Sequence, residues 1–406
     1  MRRIDPSLLV VLAGVSAALH VGKLPPAIPV LQAALQISLV QAGFLLSLVQ
    51  LGGMTLGLVA GLAADSLGLK RTMVAGLVIL SAAGFAGAGV HEASQLLALR
   101  AVEGFGFLLA SMPAPGLIRR LVTPRRLRVS MGLWGAYMPL GTALALLAGP
   151  WVIAAAGWPL WWSGVAAVSA LMAAWLAWAV PADPPMRRDA GAATGGWGLR
   201  LRQTLGAPGP WLIALCFAMY SGQWLAVIGF LPAIYAQAGV AGSAAAVATA
   251  LAAAVNMVGN IGSGRLLQRG VAPHSLLRIG FGVMGLAGVA AFAPLWGWAD
   301  GAALALQYTA VLLFSMVGGM IPGTLFFLSV QLAPNERTVS TTVGWMQQWS
   351  SLGQFAGPPL VAWVAVRAGS WQWSWLVTGG CALAGMFLAG AIASRMASHP
   401  TIQGQP

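Results

Sequence analysis

Apolar residues in this chain fall into long runs separated by short polar interruptions. Twelve stretches, at 7–32, 38–63, 73–90, 95–120, 129–156, 159–181, 210–237, 241–266, 274–295, 302–332, 338–366 and 371–394, are long, apolar and poor in charge. At about 1.5 Å of rise per residue, about twenty such residues in a helix cross a hydrocarbon core of roughly 30 Å. The pattern predicts an all-α integral membrane protein with twelve transmembrane helices.

The one long polar interruption, "PADPPMRRDAGAATGGWGLRLRQTLGAPG" at 181–209, lies at the middle of the chain and is rich in Pro, Gly, Ala and Arg. It reads as a linker between two six-helix halves. The expected division is residues 1–181, a linker at 182–209, a second half at 210–394 and a tail at 395–406. Landmarks repeat between the halves: Gly61 matches Gly264 at an offset of 203, and Gly149-Pro150 matches Gly357-Pro358 at an offset of 208. Each Gly-Pro step is followed by a helical stretch, a Gly and a Trp cluster of the kind found at membrane interfaces. Two halves in the same topology are related by an axis along the membrane normal, which places a solute site between them near the midplane.

Composition agrees: at 59% hydrophobic and 7% charged, the chain has too little polar surface to cover a water-soluble globule. A net charge of +13 would suggest nucleic acid in a soluble protein, but its distribution says otherwise. With the N-terminus in the cytoplasm, 18 of the Lys and Arg residues fall on that side, Arg367 falls outside, and Lys23 and Arg100 lie within the membrane. That asymmetry puts both termini in the cytoplasm of an inner-membrane protein and excludes a nucleic-acid patch. Arg2 and Arg3 before an apolar run also suit a secretory signal, but removing the first helix would leave eleven and break the repeat. Cys216 and Cys381 stand singly in apolar runs, so neither a disulfide framework nor a metal site is expected.

"GLAADSLGLKRT" at 61–72 places Asp65, Lys70 and Arg71 between the second and third runs. Gly61, Asp65, Gly68, Lys70 and Arg71, together with "RAVEGFG" at 100–106, resemble two signature motifs of the major facilitator superfamily (MFS). With twelve helices in two similar halves, the resemblance covers essentially the whole chain. It implies the MFS fold, no enzymatic activity, and a latch in which the aspartate bridges to the other half of the protein. Asp65 closes a helix at its C-terminal end, where the helix dipole disfavours a negative charge, so it needs a partner. Lys70 and Arg71 are candidates across the turn, and a neighbouring helix N-terminus would also serve. In the second half Gln268 takes the aspartate position.

Charges within the membrane are costly and face a cavity or a partner. Arg100 and Glu103, three apart on one helix face, are candidates for proton coupling or for a static pair. His20 and Lys23 share a face of the first helix. Lys23 either snorkels to the headgroups or, with His20, lines the cavity and attracts an anion. Further solute-binding candidates are Gln223, Trp224, Asn256, Gln307, Tyr308, Trp345, Gln347, Gln348 and Trp349, some of which must act as glue between helices. Gly149-Pro150 resembles an antiporter motif, but Ile153-Ala154 stands where a glycine pair is expected. "GFGVMG" lies inside an apolar run with no preceding strand, "HEASQ" lacks the second histidine of a zinc site, and no phosphate loop is found, so the energy source is an ion gradient.

The expected function is proton-coupled transport of a small organic solute, an organic anion first, by a monomer without cofactors that works in the lipid bilayer. Efflux of drug-like or siderophore-like compounds is the alternative, and a non-transporting membrane sensor a remote one.

Overall fold

The structure is a computed structural model. It describes residues 5–123, 130, 133–183, 196–240, 242–293, 301–335 and 338–398, and the side chains at 60–67, 196, 197, 301, 302, 340 and 398 lie outside that description. Seventeen α-helices are described: α1 Pro6–Gly22, α2 Ile28–Leu35, α3 Leu39–Ser47, α4 Leu51–Leu67, α5 Leu69–Ala88, α6 Ala93–Ser111, α7 Ala114–Leu121, α8 Tyr137–Ala179, α9 Gly196–Gly206, α10 Pro208–Gln237, α11 Gly242–Ala254, α12 Asn256–Gln268, α13 Pro273–Phe292, α14 Gly301–Gly318, α15 Met320–Gln331, α16 Val339–Ala368 and α17 Ser374–Ser398.

Local chemistry sets the boundaries. Asp5 caps α1, its carboxylate accepting from the Ser7 N–H at 2.9 Å, and Pro6 supplies the preset φ of a first helical residue. Pro25 and Pro26 offer no N–H to the turn before them, so α1 stops at Gly22 and the chain passes through a 3₁₀ turn, Pro25–Ala27, into α2. Ser38 and Gln41 form a reciprocal capping box that starts α3. A second 3₁₀ turn, Leu48–Gln50, joins α3 to α4.

Among the described residues, ten helical stretches are long and apolar enough to cross a membrane. One of them, α8, has 43 residues, about 64 Å at 1.5 Å per residue, and is broken at Gly157 with φ 81°, so it is two crossings. The 30-residue α16, which carries the polar run Gln347 to Ser351, lies outside those ten. With α8 divided and α16 included, the helices correspond to the twelve apolar runs. The mid-chain stretch expected as a linker contains α9.

By contacts the chain forms two units: Met1–Met186 with Ala226–Ala254 and Phe355–Trp363, and Arg187–Leu225 with Val255–Gln354 and Val364–Pro406. This grouping does not follow the sequence halves. In the first unit α8 packs against α1, α5 and α11, and α6 against α4 and α5. Glycine permits the closest approaches: a Cβ on Gly52 would lie 2.6 Å from the Gly104 carbonyl, and one on Gly104 2.7 Å from that of Leu48. The same unit contains a contact between α3 and the Pro-Pro step of α16. There a Cβ on Gly43 would lie 3.0 Å from the Pro359 Cα, and the Phe44 and Phe355 rings meet edge to face at 6.4 Å. In the second unit α13 packs on α14 and α17, and α12 on α15.

Candidate functional site

The break after α1 positions the first part of the site. Lys23 closes α1, and the Ala27 N–H turns back to Leu24 in the 3₁₀ turn. The Lys23 carbonyl instead accepts from the Trp161 indole at 2.9 Å. The Lys23 side chain itself is fully buried, not extended to a headgroup layer. Its ammonium lies 2.5 Å from Glu103 Oε1, 3.3 Å from His20 Nδ1 and 4.5 Å from the centre of the Trp162 ring.

Glu103, from α6, is the hub. Its second oxygen lies 2.5 Å from the Arg100 guanidinium, and His20 Nδ1 is 3.3 Å from Oε1. The other nitrogen of His20 meets the Ser169 hydroxyl at 2.9 Å. His20, Lys23 and Arg100 are 0% exposed and Glu103 1%. Two spacings of three residues, read separately in the sequence, are therefore one ion cluster, with Lys23 and Glu103 joined across 80 residues of chain. With His20 neutral its ledger is two positive charges and one negative. Buried charges of that kind persist only when paired and hydrogen-bonded. Arg100 meets this need with main chain as well, donating from Nε to Leu45 O at 3.0 Å and from Nη1 to His20 O at 2.8 Å. Both carbonyls lie in the last turn of a helix, where the ladder runs out of donors. Among the described residues, Arg100 Nη2 has no hydrogen-bond partner. His20 Nδ1 stands equally near an ammonium and a carboxylate, so it accepts from one or donates to the other according to where the proton sits.

The second unit places its candidates in a neutral network. Asn256 donates to Ser315 O at 2.8 Å and to the Tyr220 hydroxyl at 2.9 Å, and Trp224 donates to Ser315 Oγ at 3.0 Å. These bonds tie α10, α12 and α14 together, which is the glue role the sequence allowed for some of them. Gln223 donates to Met219 O at 3.0 Å, while its buried carbonyl oxygen and both amide atoms of buried Gln307 have no hydrogen-bond partner among the described residues. Trp345 and Trp349 stack edgewise with Trp211 at 4.8 and 5.6 Å. Tyr308, Gln347 and Gln348 are half-buried.

At the loop between α4 and α5, Gly61 and Asp65 lie in α4 with their side chains outside the described residues. Lys70 Nζ caps the C-terminal end of α8, donating to Ala177 O at 2.7 Å and Val180 O at 2.6 Å. Asp183, in the linker sequence, holds the loop in return: its carboxylate accepts from the N–H of Lys70 at 3.1 Å and of Arg71 at 3.0 Å, and pairs with Arg120 at 2.8 Å. Burial would raise the Asp183 carboxyl, but the two backbone N–H groups and Arg120 together hold it below the usual carboxylate range. Gly68, at φ 93°, leaves room for it, since a Cβ there would lie 2.6 Å from Asp183 Oδ2. Sequence reading missed Asp183, Ser169, Trp161, Trp162, Tyr220 and Ser315. An acid flanked by prolines after the sixth run was the available signal for the first.

Comparison with known proteins fits this architecture. A 102-residue stretch is 37% identical to a galacturonate transporter of Dickeya chrysanthemi, covering 24% of this chain and 29% of that protein. Another of 128 residues is 33% identical to the multidrug resistance protein MdtH of Edwardsiella ictaluri (strain 93-146), covering 31% of each. The matched stretches thus span about a third of the length of these curated relatives. Among solved structures, the fold matches a point mutant of the nucleoside transporter NupG with a TM-score of 0.73 and 15% identity over 95% of this chain and 99% of that one. It also matches a bacterial homologue of the human lysosomal transporter Spinster, inward-facing and occupied, at 0.76 and 16% over 99% and 98%. The family described as "Major Facilitator Superfamily" matches residues 8–358, and the chain therefore belongs to that superfamily of secondary transporters.

Proposed function

We propose that this transporter couples proton movement to the passage of a small organic anion across the inner membrane by alternating access. The observation that carries the reading is the buried cluster in which Glu103 is the counter-charge of both Lys23 and Arg100. A proton on Glu103 removes that counter-charge and leaves two buried cations, a state of high cost unless another anion replaces it. A solute carboxylate supplies that anion. Proton and solute then bind together, one of each, with the cluster's charge unchanged, and they leave together when Glu103 re-forms its pairs. The name of the galacturonate transporter, a carrier of a sugar acid, supports the carboxylate.

The stretch shared with MdtH favours a second reading, proton-driven efflux of drug-like compounds. Proteoliposomes carrying an internal pH dye separate the two. Small carboxylates are expected to drive a pH change that Glu103→Gln abolishes and Lys23→Ala weakens. A response to lipophilic cations with none to carboxylates would replace the anion reading with efflux, and no proton movement with any solute would remove proton coupling.

A further inference from the structure

Arg100 faces two ways. One edge of its guanidinium serves Glu103, and the other holds Leu45 O in the last turn of α3, just before the 3₁₀ turn Leu48–Gln50. One turn along α6, Gly104 presses on the carbonyls of Leu48 and Val49, so α6 grips this junction at two points. Beyond the junction, α3 carries Gly43 and Phe44, the residues that meet Pro358, Pro359 and Phe355 of α16. In the proposed topology this contact lies toward the outer face, where it would serve as the outer gate.

We infer that Arg100 is a positioning residue that carries the state of the ion cluster to the outer gate through its hold on the Leu45 carbonyl. The inference rests on the proton-bearing role proposed for Glu103. Among the described residues, the titratable groups facing that carboxylate are His20 and Lys23 from α1 and Arg100 from its own helix. Ser169 and Trp162 of α8 approach His20 and Lys23 with a hydroxyl and a ring. When Glu103 takes a proton, Arg100 loses the carboxylate that fixes its orientation and is free to turn off α3, toward an anion when one is present. Leu45 O then loses its donor, the junction slackens, and α3 tips away from the Pro-Pro step. With Glu103 ionised, the guanidinium is held on both edges and the gate stays shut. The planar fork is essential, because it meets Glu103 Oε2, His20 O and Leu45 O at once.

The test is double electron–electron resonance on the full chain in lipid nanodiscs, with spin labels at Gln36→Cys and Val366→Cys in a Cys216→Ala, Cys381→Ala background and no solute present. The wild type is expected to shift toward the longer distance as pH falls, with the open-to-closed ratio changing about tenfold. Arg100→Lys, which keeps the charge and loses the fork, is expected to flatten that response. A lysine variant that follows the wild-type curve, or a wild type that does not respond to pH, overturns the inference. Gly43→Ala supplies a test that leaves the cluster untouched. Wedging the gate open must, by reciprocity, raise the cluster's proton affinity and move the midpoint of the response to higher pH. An unmoved midpoint also overturns the inference. Because no solute is used, a gate that responds in a protein showing no solute-driven proton flux would defeat the transport reading and leave this inference standing.

Discussion

The two polar centres of this protein differ in the currency they use. In the first unit, His20, Lys23, Arg100 and Glu103 are ionic and titratable, whereas in the second, Tyr220, Trp224, Asn256 and Ser315 are neutral. The offset of 203 residues between the sequence halves sets Gln223 opposite His20 and Ala303 opposite Arg100. Duplication thus kept the helices and divided the chemistry. A neutral network fixes geometry at every pH, while an ionic one changes with a single proton, so on this reading the first half is the switch and the second is the frame it works against.

The largest effect is expected at the hub. Glu103→Gln should reduce solute-driven proton movement to the level of empty liposomes, and should cost up to about 3–5 kcal/mol of stability, the range for removing one partner of a buried ion pair. A melting curve and a flux assay on the same preparation check both. Next, Lys23→Met leaves Glu103 paired with Arg100 and brings the cluster to neutrality, so the half-saturation for a carboxylate solute should rise about tenfold, or 1.4 kcal/mol. Equal half-saturation in the two proteins would erase the contrast between the centres.

Smaller effects should come from the frame. Trp224→Phe deletes the bond to Ser315 and should cost about 1 kcal/mol in denaturant or thermal unfolding while the pH profile of transport stays in place. A displaced pH profile would mean the neutral centre is not neutral in function. Asp183→Asn should cost about 1 kcal/mol at neutral pH, since hydrogen bonds to a charged group are the stronger kind. The folded carboxyl titrates below its unfolded value of about 3.9, so this contribution is complete above that value and disappears as pH falls through the lower folded one. Wild type and variant should therefore converge in acid, as thermal melts across a pH series would show.

The fold was legible because its determinants are local. Run length gives the spans, Gly157 divides α8, and prolines end α1. The cluster was half legible: the spacing from His20 to Lys23 and from Arg100 to Glu103 marks two helix faces, but nothing in a linear pattern says that the faces meet. For Lys23 the sequence left two environments open, and the structure buries it against Glu103 and Trp162, both far along the chain. For Trp224 and Asn256 the sequence left both a solute and a neighbouring helix open, since an indole and an amide read alike for either. Asp183 was hidden in a stretch whose prolines and glycines suggested a tether.

Arg100 grips its neighbours by carbonyl oxygens, and every amino acid brings one. Leu45 is fully buried, so its side chain answers to packing, but any residue that fits the site offers Arg100 the same carbonyl. Gly52 and Gly104, which bring the backbones close enough for such a bond, have no such freedom, because any side chain there would meet main chain. The connection thus leaves its own mark on the glycines beside it, while the residue it holds is constrained by its apolar packing and not by the bond.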